Sequence, residues 1–124
     1  RKVHPHIEKK YHLSNCEIPS EQLLPIADLM ITDYSSIVFD YLFFQKPYVL
    51  FAPDMEKYLD KRGFYVEYDS LSPYIVTEEK ELGATVLSAL KKDNESWLKE
   101  QFGYHISACD GRVTERILEY LDLL

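Results

Sequence analysis

The residues best suited to chemistry in this chain stand side by side, Thr32-Asp33-Tyr34-Ser35-Ser36. Two adjacent hydroxyls can donate to phosphate oxygens. Where such a pair opens a helix, the free main-chain N–H groups of the first turn add further donors, and the helix dipole adds positive potential. The alternative is that Ser35 or Ser36 merely caps the helix, since serine is among the best N-caps. The segment lacks the Gly-Lys-Ser/Thr ending of a Walker loop. It also lacks the Gly-x-Ser-x-Gly frame of a hydrolase elbow.

The flanking residues predict how that segment is held. Asp28-Leu29-Met30-Ile31-Thr32 reads as a short buried strand, and Asp33 to Ser36 as the turn that follows it. Ile37, Val38, Tyr41, Leu42 and Phe44 give an apolar face at helical spacing, and Lys46-Pro47 stops the helix. Tyr48-Val49-Leu50-Phe51 is a second buried strand. Strand, helix, strand is the βαβ unit of a parallel sheet, and ligands bind at the carboxyl ends of such strands.

The remainder reads as further α/β structure. Residues 1–3 look like the tail of a strand ended by Pro5, residues 6–15 like a loop, and Asn15 to Ile18 like a short strand. Ser20 is placed to cap a helix from Glu21 to Ala27, shortened by Pro25. Pro53 to Asp60 forms a helical turn, and Lys61 to Tyr65 leaves it. Residues 66–77 read as loop, with an extended piece at Tyr74-Ile75-Val76. A helix from Glu78 to Lys92, capped by Thr77, carries Leu82, Val86, Leu87 and Leu90 on one face. Another runs from Glu95 to Tyr104. Asp110 caps a last helix, Gly111 to Leu123, with Val113, Ile117, Leu118 and Leu121 facing inward.

Composition narrows the function. An apolar fraction of 46% with 14% aromatics supports a packed core rather than disorder. The net charge of −7 argues against a sequence-independent nucleic-acid binder, whose affinity comes from clustered Lys and Arg. It leaves room for a small phosphorylated ligand at one locally positive site. Cys16 and Cys109 form neither a CxxC pair nor a disulfide framework, which favours a reducing compartment. No transmembrane stretch, signal peptide or metal-ligand cluster is visible, and no cofactor is expected. The chain opens on Arg1 without Met, and it reads as a piece of a longer protein.

The stretch from Ala27 to Tyr41 resembles the signature of the CDP-glycerol glycerophosphotransferases, which build teichoic acids and related polyol-phosphate polymers. Three more stretches are similar to that family's segments, in the family's order. They are Arg1-Lys2-Val3-His4-Pro5, Arg62-Gly63-Phe64-Tyr65, and Asp110-Gly111-Arg112-Val113-Thr114-Glu115-Arg116-Ile117. The resemblance implies a GT-B fold, two Rossmann-like domains around a cleft. Residues 1–124 would be a fragment of the C-terminal, nucleotide-binding domain, with a parallel sheet flanked by helices.

What the resemblance implies for chemistry is transfer of glycerol phosphate or ribitol phosphate from a CDP-activated donor to a polymer hydroxyl, with release of CMP. The site would comprise His4 as a catalytic group at the leaving phosphate and Ser35, Ser36 and Arg62 as phosphate ligands. Asp33 would hold the loop or accept from a hydroxyl. Arg112 and Arg116 are weaker candidates, and His6, His12 and His105 are expected to do nothing catalytic. The partners implied are CDP-glycerol or CDP-ribitol and a polymer acceptor on a lipid carrier, at the cytoplasmic face of the bacterial membrane. Membrane association would be peripheral, through parts outside this chain. The proposed general base would lie in the other domain, leaving this chain alone inactive. Rival readings are a nucleotide-sugar GT-B glycosyltransferase or epimerase, and a non-catalytic nucleotide-binding module.

Overall fold

A computed structural model describes residues 18–61 and 67–123. The expected pieces before Ile18, with Cys16, His4, His6 and His12, and the Arg62 to Tyr65 segment lie outside those residues. Helix α1 (Ser20–Leu23) passes into a 3-10 turn (Leu24–Ile26) and then strand β1 (Met30–Thr32). Helix α2 (Ile37–Leu42) leads to β2 (Tyr48–Phe51) and α3 (Met55–Lys61). A second 3-10 turn (Tyr68–Ser70) precedes β3 (Ile75–Val76), followed by α4 (Glu79–Lys91), α5 (Glu95–His105) and α6 (Val113–Tyr120).

The three strands form one parallel sheet in the order β1-β2-β3. Met30 pairs with Tyr48 and Thr32 with Leu50, while Leu50 pairs with Ile75 and Phe51 with Val76. Central β2 is covered on both faces, as a parallel sheet requires. Tyr48 and Leu50 enter one core with Val38, Tyr41, Leu42 and Leu98, beneath α2 and α5. Val49 and Phe51 enter the other with Tyr74, Val76 and Ala89, beneath α4. The Rossmann-like α/β arrangement expected from the sequence is therefore what these residues adopt.

The buried polar groups of Tyr48, Ser72 and Asn94 are paired. Tyr48 donates its hydroxyl to the Leu71 carbonyl, and Ser72 Oγ donates to the Tyr48 carbonyl at 3.0 Å. Asn94 closes α4 by donating to the carbonyls of Ala89 (2.7 Å) and Lys92 (2.9 Å). Its own oxygen accepts from the Tyr74 hydroxyl (2.8 Å) and Trp97 Nε1 (3.0 Å). Trp97 packs against both cores and meets Tyr48 and Tyr74 edge-on.

Several boundaries differ from the sequence expectation. Pro19, not Ser20, occupies the N-cap of α1, and Pro25 turns the chain into the 3-10 geometry it tolerates near a helix start. Helix α2 ends at Leu42, before Lys46-Pro47, through a turn in which Gln45 takes the left-handed φ of 48°. Lys46 instead donates to the carbonyls of Pro25 (2.9 Å) and Ala27 (2.8 Å), tying that 3-10 turn to the end of α2. Glu78 rather than Thr77 stands at the N-cap of α4. Leu82 and Val86 meet the sheet, but Leu87 and Leu90 are exposed at 57% and 50%. The face that packs includes Ala89, one turn from Val86, and this turns Leu87 and Leu90 outward. Helix α6 begins at Val113, not Gly111, and Val113, Ile117 and Leu121 are exposed rather than inward.

Candidate functional site

The Asp33–Ser36 turn leaves the carboxyl end of β1 and enters α2, with Asp33, Ser35 and Ser36 exposed. Ser35 Oγ accepts from the Ile37 N–H at 3.4 Å, a loose local cap. Ser36 holds the N-cap position with φ −63° and ψ −8°, and its side chain makes no cap hydrogen bond. Capping therefore accounts for Ser35 in part and does not account for Ser36. Ser35 also keeps a donor, because a hydroxyl that accepts from an N–H still carries its own proton. With six residues, α2 is shorter than two turns. Its carboxyl end partly cancels the field at its start, so the turn's capacity for an anion rests on hydroxyls more than on a dipole.

The turn is anchored by tyrosines. The Tyr34 ring stacks on Tyr58, centroids 3.9 Å apart at 17°, and lies tilted against Tyr68 at 5.5 Å. Its hydroxyl donates to Asp54 Oδ1 at 2.9 Å. Tyr68 donates to the main-chain carbonyl of Asp33 at 3.3 Å. Burial, then the Asp54 hydrogen bond and charge, raise the Tyr34 phenol well above its ordinary range. Burial, then the charges of Asp33 and Asp69, push Tyr68 up to about 12. Both phenols therefore remain protonated donors throughout the neutral range. These contacts were missed from sequence, although Asp54 follows the end of β2 much as Tyr34 follows the end of β1.

A cavity of about 470 Å³ opens beside this anchor, at the carboxyl ends of β2 and β3. It lies between residues 52–57 and Thr77-Glu78, and Asp54 is part of its wall. Lys57 is the one cation among its described lining residues. A second, largely apolar cavity of about 310 Å³ runs along β1, lined in part by Leu23, Leu29, Ile31 and Ile37.

His4 and Arg62 are not among the described residues, so Asp33, Ser35 and Ser36 are the candidates whose surroundings are visible. Arg112 and Arg116 are committed elsewhere. Arg112 Nε pairs with Glu115 at 2.8 Å, and Arg116 Nη1 reaches both carboxylate oxygens of Asp110 at 2.8 Å. Arg116 also donates to the Ala108 carbonyl. His105 lies against Phe39 and Tyr104, and burial lowers its pKa. Among the described residues no group of His, Cys, Asp or Glu is placed to hold a metal ion. No helix of those residues is long and apolar enough to cross a membrane.

A hydroxyl-bearing turn at the end of a parallel strand is common to many nucleotide-binding proteins, so sequence relatives decide the family. The model of the CDP-glycerol:poly(glycerophosphate) glycerophosphotransferases matches residues 2–122. The chain belongs to that family. A teichoic acid ribitol-phosphate primase of Bacillus spizizenii is 28% identical over 96% of this chain and 33% of its own length. The teichoic acid ribitol-phosphate polymerase TarL of Staphylococcus aureus is 35% identical over 80% of this chain and 17% of its own. The solved structure of the wall teichoic acid polymerase TagF superposes with a TM-score of 0.65 at 31% identity. It covers 82% of this chain and 26% of its own. The family member described here thus spans a third or less of the length of these relatives.

Proposed function

We propose that this chain is the nucleotide-binding part of the C-terminal domain of a GT-B enzyme. That enzyme would transfer glycerol phosphate or ribitol phosphate from a CDP-activated donor to a polymer hydroxyl. Family membership across residues 2–122 supports the reaction class, and relatives named for both polyols keep both donors in view. The observation that carries the local assignment is the Asp33–Ser36 turn. Its serines are exposed at the carboxyl end of a parallel strand, with the Ser36 hydroxyl unspent on the helix it begins.

In this mechanism the acceptor oxygen attacks the phosphorus that bears the polyol. The bond from that phosphorus to the bridging oxygen breaks, and CMP leaves with the bridging oxygen. The acceptor proton passes to a base outside this chain. Ser35 and Ser36 donate to the pyrophosphate oxygens, and Arg62 neutralises their charge. His4 stabilises or protonates the departing phosphate. Asp33 shapes the loop rather than touching phosphate, since a carboxylate beside an anion is repulsive. The acceptor polymer sits on a lipid carrier at the cytoplasmic face of the membrane, reached through parts of the enzyme outside this chain.

Titration of the chain with CMP, CDP-glycerol, CDP-ribitol and a UDP-sugar, followed by NMR, tests this assignment. A few charge-assisted hydrogen bonds, each worth about 1.5–3 kcal/mol, must offset about 4–15 kcal/mol of lost ligand freedom. Affinity for the cytidine ligands is therefore expected in the millimolar to high-micromolar range, with shifts centred on Ser35 and Ser36 and no turnover. Tighter binding of the UDP-sugar than of CMP would overturn the donor assignment.

A further inference from the structure

The geometry points to Tyr34 as a positioning residue, locking the phosphate-binding turn to Asp54 at the end of the neighbouring strand. This rests on the assignment of Ser35 and Ser36 to the donor phosphate. Tyr34 stands inside the turn, half-buried between the exposed Asp33 and Ser35. The ring is held on one side by the Tyr58 stack at 3.9 Å, and the hydroxyl is fixed by Asp54 at 2.9 Å. Tyr58 belongs to α3 and Asp54 to the segment between β2 and α3. One side chain therefore joins the β1–α2 turn to both parts of the neighbouring β2–α3 unit. A second tie, from Tyr68 to the Asp33 carbonyl, holds the preceding residue, at the longer distance of 3.3 Å.

The physical need for such a lock follows from α2. A six-residue helix contributes little rigidity of its own, and the loose Ser35 cap at 3.4 Å contributes little more. Without an external tie the two hydroxyls would sample several directions, and ligand binding would bear the cost of ordering them. Ring stacking limits the translation of the turn, and the hydrogen bond limits its rotation. The two contacts can be separated, because phenylalanine keeps the stack and loses the bond to Asp54.

CMP affinity of the 124-residue chain, measured beside its thermal melt, tests the role. Tyr34→Phe and Asp54→Ala are each expected to weaken CMP binding about 3–10-fold, the scale of one hydrogen bond. The double variant should be no weaker than the poorer single, since both remove the same bond. Asp54→Asn, which keeps an acceptor oxygen, should restore most of the loss. Unchanged CMP affinity in Tyr34→Phe, losses that multiply in the double variant, or losses that track a lowered melting temperature would each overturn the positioning role. The phosphate assignment is checked separately by the Ser35→Ala/Ser36→Ala variant. If that variant binds CMP like the parent, or if the parent does not bind CMP, the assignment itself fails and the role of Tyr34 falls with it.

Discussion

Two loops that match the family's segments behave differently once folded. In the C-terminal loop the charged side chains pair with one another. The Asp110 carboxylate accepts from the Arg112 N–H at 2.9 Å and from Arg116, and Arg112 pairs with Glu115. Gly111 supplies the left-handed φ of 83° that lets the chain fold back over Asp110. In the Asp33–Ser36 loop, the tyrosine and the carbonyl are spent on neighbouring elements while the Ser36 hydroxyl is left over. A segment that consumes its own donors and acceptors builds the start of a helix. One that is fixed through neighbouring elements and keeps its hydroxyls exposed is equipped to meet a ligand. Both were single motifs in the sequence, and only the destination of each hydrogen bond separates them.

The sharpest way to break this contrast is to exchange the two sets of residues as targets. Ser35→Ala/Ser36→Ala should weaken CMP binding at least about 100-fold, the loss of two charge-assisted hydrogen bonds. Asp110→Ala should leave the CMP affinity unchanged in the same NMR titration. A loss of affinity in Asp110→Ala would mean that the C-terminal loop reaches the ligand after all.

A smaller effect separates both loops from the interior. Asn94 is 8% exposed and bonds to Ala89, Lys92, Tyr74 and Trp97. Asn94→Ala strands the end of α4 and two aromatic donors, so a loss of about 2–4 kcal/mol in urea unfolding is expected. Neither loop variant should approach that figure.

The smallest effect concerns pH. The hydrogen bond from Arg116, helped by the Arg112 N–H, lowers the Asp110 pKa below its ordinary value of 3.8. The folded chain thus holds this carboxylate charged more readily than the unfolded chain does. Its contribution is complete above that ordinary value and fades as pH falls through the lowered one. Asp110→Asn should therefore flatten the acid limb of the stability profile below about pH 4. Because the pair is exposed, the change in melting temperature near neutrality should be slight.

Much of the fold was legible because its central unit is local. Apolar runs bounded by polar residues marked β1 and β2, and the spacing of Val38, Tyr41 and Leu42 marked the helix between them. Boundaries failed where side chains act at a distance. Lys46 looked like a helix stop and instead reaches back to Pro25 and Ala27. The helical faces of α4 and α6 were drawn from periodicity alone, which counts apolar residues but does not say how wide a stripe the sheet covers. Within the site, the position of Ser35 and Ser36 at a strand end could be read directly. The Tyr34, Tyr58 and Tyr68 cluster could not, since its members are separated by long stretches of chain and tyrosine carries no periodic signature. His4 and Arg62 remain proposals drawn from the family resemblance.

Trp97 has a practical consequence. It is the only tryptophan in the chain, and it touches the cores on both faces of the sheet while its indole N–H is held by Asn94. Its fluorescence is therefore an intrinsic optical reporter that samples both layers of the sandwich at once. If the two cores melt together, emission and far-UV ellipticity should trace one curve. If one layer loosens first, the indole will register it before the backbone signal does.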